Sequence, residues 1–281
     1  MGNFPFDYRD RQYHEPFLGG GAVFFWLKPQ SGTVNDINRR LMNFYRIVRD
    51  RPEDLIEKAR KYLYDEKTYH VLRDRLNFGK TSDVEEAALL LYFNKTAYNG
   101  LYRENSKGEF NVPFGEYSNP RIVHEAAIQA ASNALKKVEV LNLDFDYILD
   151  YAKEGDICYF DPPYQPVSET ANFTQYSKNG FGLEEQERLR DVCVKLHERG
   201  IFFVLSNSHS EEVRKLFEDT EGFRIEQVGA RRSISSDAST RGEIPEILVS
   251  NVPQNRIARG KSSPSSDVSK KAEQGNLPEK Y

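Results

Sequence analysis

The sequence predicts an α/β protein with a doubly wound, mostly parallel sheet and a small helical domain inserted into it. First, short apolar runs that end in acidic residues alternate with amphipathic helices. Second, "IFFVLSNS", residues 201–208, is a continuous apolar run typical of a strand buried on both faces. Third, this alternation stops between residues 52 and 134, where the chain becomes helical and polar.

Two strand–helix units open the chain. "YHEPFLGGGAVFFWL" predicts a strand, a glycine turn and the start of an apolar helix. "GTVNDINRRLMNFYRIV" predicts a strand that runs to Asp36 and then an amphipathic helix. Strands alternating with helices in this way imply parallel pairing, with helices on both faces of the sheet.

The second half of the chain continues the same pattern. "KVEVLNLDF" and "GDICYFDPP" are predicted strands that end in acidic residues. "GLEEQERLRDVCVKLHERG" predicts a helix that stops at Gly200. "FRIEQVGA" and "EILVSN" are predicted to close the sheet as a hairpin-like pair.

These patterns predict three regions. Residues 1–51 and 135–252 form the main domain, and residues 52–134 form the inserted domain. Within the insert, the aromatic and β-forming residues around "ENSKGE" predict a loop-rich β-hairpin. Residues 253–281 are rich in Ser, Lys and Pro and predict a disordered tail.

Composition limits the class of protein. A net charge of −4 disfavours indiscriminate nucleic-acid binding but is compatible with a local basic cleft. No apolar run approaches the roughly 20 residues of a membrane span, and the start of the chain does not resemble a signal peptide. Cys158 and Cys193 fall in a predicted strand and a predicted helix, which indicates core residues in a reducing, cytoplasmic compartment. Five scattered histidines and no paired cysteines give no case for a metal site.

A ligand site is predicted at the carboxyl edge of the sheet. Gly19, Gly20 and Gly21 lie between a strand and a helix, where glycine permits a sharp turn and close approach of a ligand. The spacing of dinucleotide-binding and phosphate-cradling loops is absent. Three strands end in acidic residues, at Asp36, Asp144 and Asp161. A ligand with a ribose but no phosphates fits this pattern, and S-adenosylmethionine is the common example.

Five blocks of sequence together resemble one family. They are "EPFLGGGAVFF", "NDIN", "FNKTAYNGLYRENSKGEFNVPFGEY", "DPPY" and "FTQYSKNGFGLEEQERL". In content and order they look like the motifs of the Dam-like DNA adenine-N6 methyltransferases, over roughly residues 13–251. The resemblance implies the Rossmann-like fold of S-adenosylmethionine-dependent methyltransferases and an insert that recognises DNA. It also implies a cytoplasmic, nucleoid-associated enzyme that methylates a flipped adenine in double-stranded DNA.

The resemblance assigns catalysis to the residues that follow one strand. Asp161 and the carbonyl of Pro162 would accept hydrogen bonds from the exocyclic amine of the target adenine. Tyr164 would stack on the base, which must first leave the duplex. Pro162 and Pro163 stiffen the backbone and so fix the separation between the carboxylate and the aromatic ring.

The resemblance also implies a binding site for S-adenosylmethionine. Glu15, Phe17 and Gly19 would line its methionine side. Asp36 would bind the ribose, and Asp144 with Phe145 would hold the adenine. The full predicted set is Glu15, Pro16, Phe17, Gly19, Gly21, Asp36, Ile37, Asp144, Phe145 and Asp161.

The hairpin would read the DNA sequence. By the resemblance, Arg103 reads a guanine edge, Leu101 and Pro113 pack on a thymine methyl, and Asn99 lies near the flipped base. Tyr117 is retained, but Glu116 stands where relatives often carry a basic residue, so recognition of the outer base is open. The predicted DNA-binding residues are Asn99, Leu101, Arg103, Pro113 and Tyr117. Relatives with this hairpin typically modify GATC, which is therefore the predicted site.

Several alternatives stay open at this stage. Members of the family usually begin with a "W-x-G-G-K"-like block, whereas this sequence starts at "MGNFPFDYRDRQYHEPF". One alternative is therefore a DNA-binding relative with weak or no catalysis. "DPPY" with this hairpin disfavours cytosine-N4, protein-glutamine and messenger-RNA methyltransferases. A cognate restriction endonuclease is a candidate partner, and the oligomeric state is open.

Overall fold

The computed structural model describes residues 4–163, 181–231 and 243–257. Seven strands in these ranges form one sheet. They are β1 (Tyr13–Glu15), β2 (Gly32–Asn35), β3 (Glu139–Leu141), β4 (Ile157–Phe160), β5 (Phe202–Ser208), β6 (Arg224–Arg231) and β7 (Glu243–Ser250). Their order across the sheet is β3-β2-β1-β4-β5-β7-β6.

The sheet is parallel except at one strand. β1 pairs in parallel with both β2 and β4, and the parallel ladder continues to β3 on one side and β5 on the other. β7 alone among the described strands runs antiparallel, between β5 and β6. The winding direction reverses between β1 and β4, and ligands of such sheets bind in the crevice at this point. The predicted α/β sheet and its closing hairpin-like pair are confirmed.

Helices connect and cover these strands. The described helices are α1 (Ala22–Leu27), α2 (Arg39–Asp50), α3 (Pro52–Ala59), α4 (Glu66–Phe78), α5 (Asp83–Thr96), α6 (Glu125–Leu135), α7 (Ile148–Tyr151), α8 (Leu183–Glu198) and α9 (Glu211–Glu218). Asn38 caps α2 through a bond from the Leu41 backbone N–H, as expected of an N-cap asparagine. Gly200 follows the last turn of α8 with φ +71°, which confirms the predicted glycine stop.

Three apolar clusters hold the fold together. The first lies between the sheet and helices α1, α2, α3, α5 and α6. The second lies among β4, β5, β7 and helices α7, α8 and α9. The third is smaller and joins α4 and α5 to the hairpin region through residues such as Tyr69, Phe93 and Phe110. Helices α3 and α6 of the predicted insert thus share the core of the sheet, and the domain boundaries stay a prediction.

Two further expectations bear on the edges of the fold. Cys158 and Cys193 are buried and unbonded in the second cluster, which confirms them as core residues. The predicted disordered tail begins at residue 253, but Gln254–Arg256 form a 3-10 turn and Ile257 bridges to Pro5. The tail prediction is therefore wrong for residues 253–257, since pairing with the N-terminal segment orders them, and residues 258–281 lie outside the described ranges. In the part of the chain described, no helix combines the length and apolarity that a membrane crossing requires.

Candidate active site

The glycine turn and the acid of the next strand contact each other directly. Gly19 and Gly21 have φ of +47° and +67°, which favours glycine at both positions. The Gly19 backbone N–H donates to Asp36 Oδ2 at 3.0 Å, and the Asn38 N–H donates to Asp36 Oδ1 at 2.9 Å. A methyl group added at Gly19 would meet nothing within 4 Å. The turn therefore leaves open space next to a carboxylate.

Tyr45 supports the same turn from helix α2. Its side chain is buried, and its hydroxyl donates to the Gly19 carbonyl at 2.8 Å. In the sequence, Tyr45 has only the position of an apolar-face residue of the predicted amphipathic helix. Its spacing is that of any core residue, so the pattern carries no signal for this contact.

Glu15 is a buried carboxyl group at the end of β1, with only 2% of its surface exposed. Tyr13, on the same face of the strand, donates its hydroxyl to Glu15 Oε2 at 2.6 Å. Burial raises the pKa of Glu15 to about 8; the Tyr13 hydrogen bond opposes this rise, and the charge of Asp161 adds to it. Asp161, which follows β4, therefore lies close enough to Glu15 at the end of β1 for the two carboxyl groups to interact. Sequence reasoning missed Tyr13, although its two-residue spacing from Glu15 in a strand was an available signal.

An aromatic wall adjoins these acids. Phe17 stacks on Phe145 with ring centroids 5.3 Å apart and meets Phe181 edge-on at 5.4 Å. Pro16 is buried, and its carbonyl accepts a hydrogen bond from Asn35 Nδ2 at 3.0 Å. The predicted cofactor residues from two separate strand ends, Phe17 and Phe145, are thus brought together.

Asp144 lies at the far end of this wall. Its side chain caps the 3-10 turn that contains Phe145, and Arg188 of α8 donates to its Oδ1 at 3.0 Å. The Arg188 guanidinium also lies 4.8 Å over the Phe145 ring. Arg188 could not be predicted because it is one of many charged residues on its helix.

Ile37 is 73% exposed, which is unusual for a large apolar side chain beside a carboxylate such as Asp36.

Asp161, Pro162 and Pro163 follow β4 immediately. Phe160, the last residue of β4, pairs with Leu205, so these residues lie beside the end of β5. Asp161 and Pro163 are exposed and Pro162 is buried. Tyr164, the fourth predicted catalytic residue, lies outside the described residues. The strand therefore ends with a carboxylate at the sheet edge where Glu15 and Asp36 also lie.

The predicted hairpin is present as a loop-rich turn across residues 96–115. Isolated antiparallel bridges join Ala97 to Phe114 and Glu104 to Phe110. At its tip, Asn105 Oδ1 accepts backbone N–H bonds from Lys107 and Glu109 at 2.9 and 3.0 Å. These contacts replace a regular strand ladder.

Four of the five predicted DNA-binding residues lie on the two arms of this hairpin, and Tyr117 follows it by two residues. Asn99 is exposed with φ +52°, and Leu101 is half-buried. Arg103 is exposed, and its Nε donates to Asn111 Oδ1 at 2.8 Å. Pro113 is exposed, and the Tyr117 hydroxyl donates to the Ala97 carbonyl at 2.9 Å. The two arms thus present these side chains from one compact unit.

The predicted site residues fall into two sets. The cofactor set and Asp161 gather at the carboxyl ends of β1, β2, β3 and β4, and the DNA set gathers on the hairpin. No group of three or more His, Cys, Asp or Glu residues within the described ranges could hold a metal ion. The described part of the site presents carboxylates and backbone carbonyls beside aromatic rings.

Comparison with known proteins places this arrangement in a family. The model of the D12 class N6 adenine-specific DNA methyltransferases matches residues 2–234. The chain belongs to this family. It is 43% identical over 246 residues to the type II methyltransferase M1.LlaDCHI of Lactococcus lactis subsp. cremoris, which covers 85% of this chain and 86% of the relative.

Two further relatives are similar to this chain over most of their length. The type II methyltransferase M.MjaIII of Methanocaldococcus jannaschii is 39% identical, with 86% of this chain and 88% of the relative covered. The DNA adenine methylase of Escherichia coli (strain K12) is 36% identical, with 83% and 84% covered. The prediction of a DNA-methyltransferase specific for adenine is confirmed, and with it the methyltransferase fold. Because this family is specific for the N6 amine of adenine in DNA, the cytosine-N4, protein-glutamine and messenger-RNA alternatives fall away.

Proposed function

We propose that this D12 methyltransferase transfers a methyl group from S-adenosylmethionine to the N6 amine of a flipped adenine in duplex GATC. The observation that carries the proposal is the meeting of four features at one sheet edge. These are the open glycine turn, the Gly19–Asp36 hydrogen bond, the buried Glu15 and the Asp161 carboxylate. They lie at the reversal of strand order, where sheets of this type bind ligands.

The donor set fits S-adenosylmethionine. The space at Gly19 admits a ligand against the backbone, and Asp36 offers acceptor oxygens suited to ribose hydroxyls. The charge of Asp161 disfavours ionisation of the buried Glu15, and the ammonium of the donor's methionine would relieve this by pairing with carboxylate. Phe17 and Phe145 supply an apolar surface for the adenine.

The proposed chemistry is positioning and electrostatics. S-adenosylmethionine supplies a methyl group on a sulfonium when bound. The Asp161 carboxylate and the Pro162 carbonyl accept hydrogen bonds from the target amine. Two acceptors favour a more tetrahedral nitrogen, whose lone pair is then available for attack instead of being delocalised into the ring.

The target base must be unpaired before it can react, because its amine is otherwise bonded within the duplex. Tyr164 is proposed to stack on it. Stacking on an aromatic ring contributes about 1–3 kcal/mol, which is comparable to the few kcal/mol that unpairing costs. This assignment comes from the sequence, since Tyr164 lies outside the described residues.

Recognition of GATC is proposed for the hairpin. Arg103 is exposed and its Nε donates to Asn111, so its two terminal nitrogens are proposed to read the guanine edge. Leu101 and Pro113 would contact a thymine methyl, Asn99 would lie near the flipped base, and Tyr117 would support them. Glu116 is exposed in the position where relatives often carry a basic residue.

Two relatives are named type II methyltransferases, which supports a cognate restriction endonuclease as a partner. We propose the enzyme as the protective half of such a pair in the cytoplasm, associated with the nucleoid. Restriction activity against unmethylated but not methylated DNA in the source cells is the expected observation.

Sequencing of DNA incubated with the protein and S-adenosylmethionine tests the reaction, the target base and the site together. We expect N6-methyladenine in GATC. Asp161→Ala should abolish methylation without unfolding the protein, whereas Asp150→Ala, an exposed aspartate on α7, should leave it intact. Full activity of Asp161→Ala would contradict the proposed role of this carboxylate.

Calorimetry separates the enzyme from a DNA-binding relative without catalysis. The proposed enzyme binds S-adenosylmethionine with a measurable heat. A protein that binds GATC duplex but shows no heat with the donor at high concentration would instead be the catalytically inactive form.

A further inference from the structure

The hairpin that carries Arg103 is anchored to the inserted helices. Phe110 is buried, and its ring lies 4.6 Å from that of Phe93 on α5. Asn77 of α4 bonds both backbone groups of Phe110, accepting from its N–H at 2.8 Å and donating to its carbonyl at 3.0 Å. These contacts fix one side of the hairpin but do not connect it to the cofactor side of the protein.

Arg40 makes that connection from helix α2. Its Nη1 donates to Glu104 Oε1 at 2.8 Å and to the Gly108 carbonyl at 3.1 Å. Glu104 lies next to Arg103, and Gly108 lies at the tip of the hairpin. The Tyr102 hydroxyl donates to the same Glu104 oxygen at 2.6 Å. One guanidinium therefore contacts the hairpin at both an arm and the tip.

The position of Arg40 in the chain links this contact to the candidate donor site. Asp36, which bonds the glycine turn, is four residues before it, and Asn38 between them caps α2. On its other side, Arg40 Nε lies 3.6 Å from the buried Glu86 of α5. The short stretch 36–40 thus contacts the glycine turn at one end and the hairpin at the other.

The surroundings of Arg40 favour the charged form of its guanidinium. Burial opposes it, but hydrogen bonding to Tyr102 and the nearby Glu104 outweigh burial and raise the pKa of the guanidinium. Arginine suits such a position because its planar fork can hold a carboxylate and a carbonyl simultaneously, which a lysine ammonium does less well.

We propose that Arg40 is a positioning residue that docks the recognition hairpin onto helix α2 and so holds Arg103 in register with the methyl-donor site. This inference rests on the proposed function of the hairpin. Arg40 acts through Glu104 and Gly108, and its loss should weaken discrimination between DNA sites more than it weakens binding of the donor.

The test compares four variants of the full chain: Arg40→Gln, Arg40→Lys, Glu104→Gln and the double variant Arg40→Gln/Glu104→Gln. Fluorescence anisotropy at fixed salt gives Kd for the preferred duplex found by sequencing and for one with its guanine changed to adenine. We expect each Gln variant to lower the ratio of the two Kd values about fivefold to tenfold, a typical size for coupling between sites. Arg40→Lys should fall between wild type and Arg40→Gln.

The double variant and a matched control make the result specific. The double variant should be no worse than the worse single variant, because both remove the same contact. Arg49→Gln serves as control, since Arg49 lies on the same helix but pairs with the adjacent Asp50. Its Kd ratio should equal that of wild type. Calorimetry with S-adenosylhomocysteine should give the same Kd for all of these proteins.

The outcomes are distinguishable. Unchanged site discrimination in Arg40→Gln, fully additive losses in the double variant, or an equal loss in Arg49→Gln would overturn the inference. A wild type that prefers a site other than GATC would overturn that part of the proposed function, and the comparison would then be made at the preferred site. A wild type without any site preference would overturn both.

Discussion

Replacing Glu15 with glutamine should make the stability of the protein less dependent on pH. Glu15 is buried, and its pKa rises from 4.5 to about 8 in the folded protein. Between these values the folded state binds more protons than the unfolded state, so the free energy of unfolding falls as pH rises. The stabilising effect of the protonated carboxyl is complete below pH 4.5 and is lost as pH rises through about 8.

The size of the effect follows from the two pKa values. A tenfold change in proton affinity corresponds to about 1.4 kcal/mol. Relative to low pH, Glu15 should therefore lower the free energy of unfolding by about 4 kcal/mol at pH 8 and by about 1 kcal/mol at pH 5. Glutamine does not titrate, and its carbonyl can still accept the Tyr13 hydroxyl. The difference in unfolding free energy between Glu15→Gln and wild type should therefore grow by about 3 kcal/mol from pH 5 to pH 8.

Urea unfolding across pH 5–8.5, without donor, measures this difference. Glu139→Gln, an exposed glutamate on β3, is the control and should follow the wild-type curve. Parallel curves for Glu15→Gln and wild type would refute the reasoning. The substitution should stabilise the protein at pH 8 but weaken binding. Glu15→Gln should bind S-adenosylhomocysteine more weakly than wild type at pH 8, because the ammonium of the ligand loses a carboxylate partner.

Three further predictions follow from named contacts. Asp36→Ala should raise Kd for S-adenosylhomocysteine by about 10- to 100-fold in calorimetry, since hydrogen bonds to a charged group contribute about 1.5–3 kcal/mol; an unchanged Kd would remove Asp36 from the donor site. Arg103→Gln should cost about 1–3 kcal/mol of preference for the site guanine, measured as a ratio of Kd values, and a uniform loss at all sites would indicate a phosphate contact instead. Phe110→Ala should destabilise the protein by about 3–5 kcal/mol in urea unfolding, whereas the exposed Phe78→Ala should have little effect.

The strand ends show how far the sequence could be interpreted. Apolar runs followed by Asp36, Asp144 and Asp161 predicted strands that end at one sheet edge, and the structure has β2 and β4 ending directly before Asp36 and Asp161. β3 ends at Leu141, three residues before Asp144, which instead caps a 3-10 turn. Local apolar patterning identifies strands well, but their exact ends depend on pairing with neighbours.

Contacts between distant residues could not be predicted in the same way. Tyr45, Arg188 and Arg40 each lie on a helix whose sequence pattern is explained by burial or solvent exposure alone. Their hydrogen bonds to Gly19, Asp144 and Glu104 join residues up to 64 positions apart. The periodicity of a helix does not predict which carbonyl or carboxylate, distant in sequence, its side chains will contact.

The class of sheet, the strands before Asp36 and Asp161, the glycine turn and the hairpin could be predicted from the sequence, because each depends on residues near one another in the chain. The burial and raised pKa of Glu15, and the contact of Arg40 with the hairpin, could be seen only in the folded protein. Both properties arise from burial and from charges brought close by packing. A glutamate exposed to water and a glutamate buried beside Tyr13 are the same residue in the sequence, but their carboxyl groups have different proton affinities.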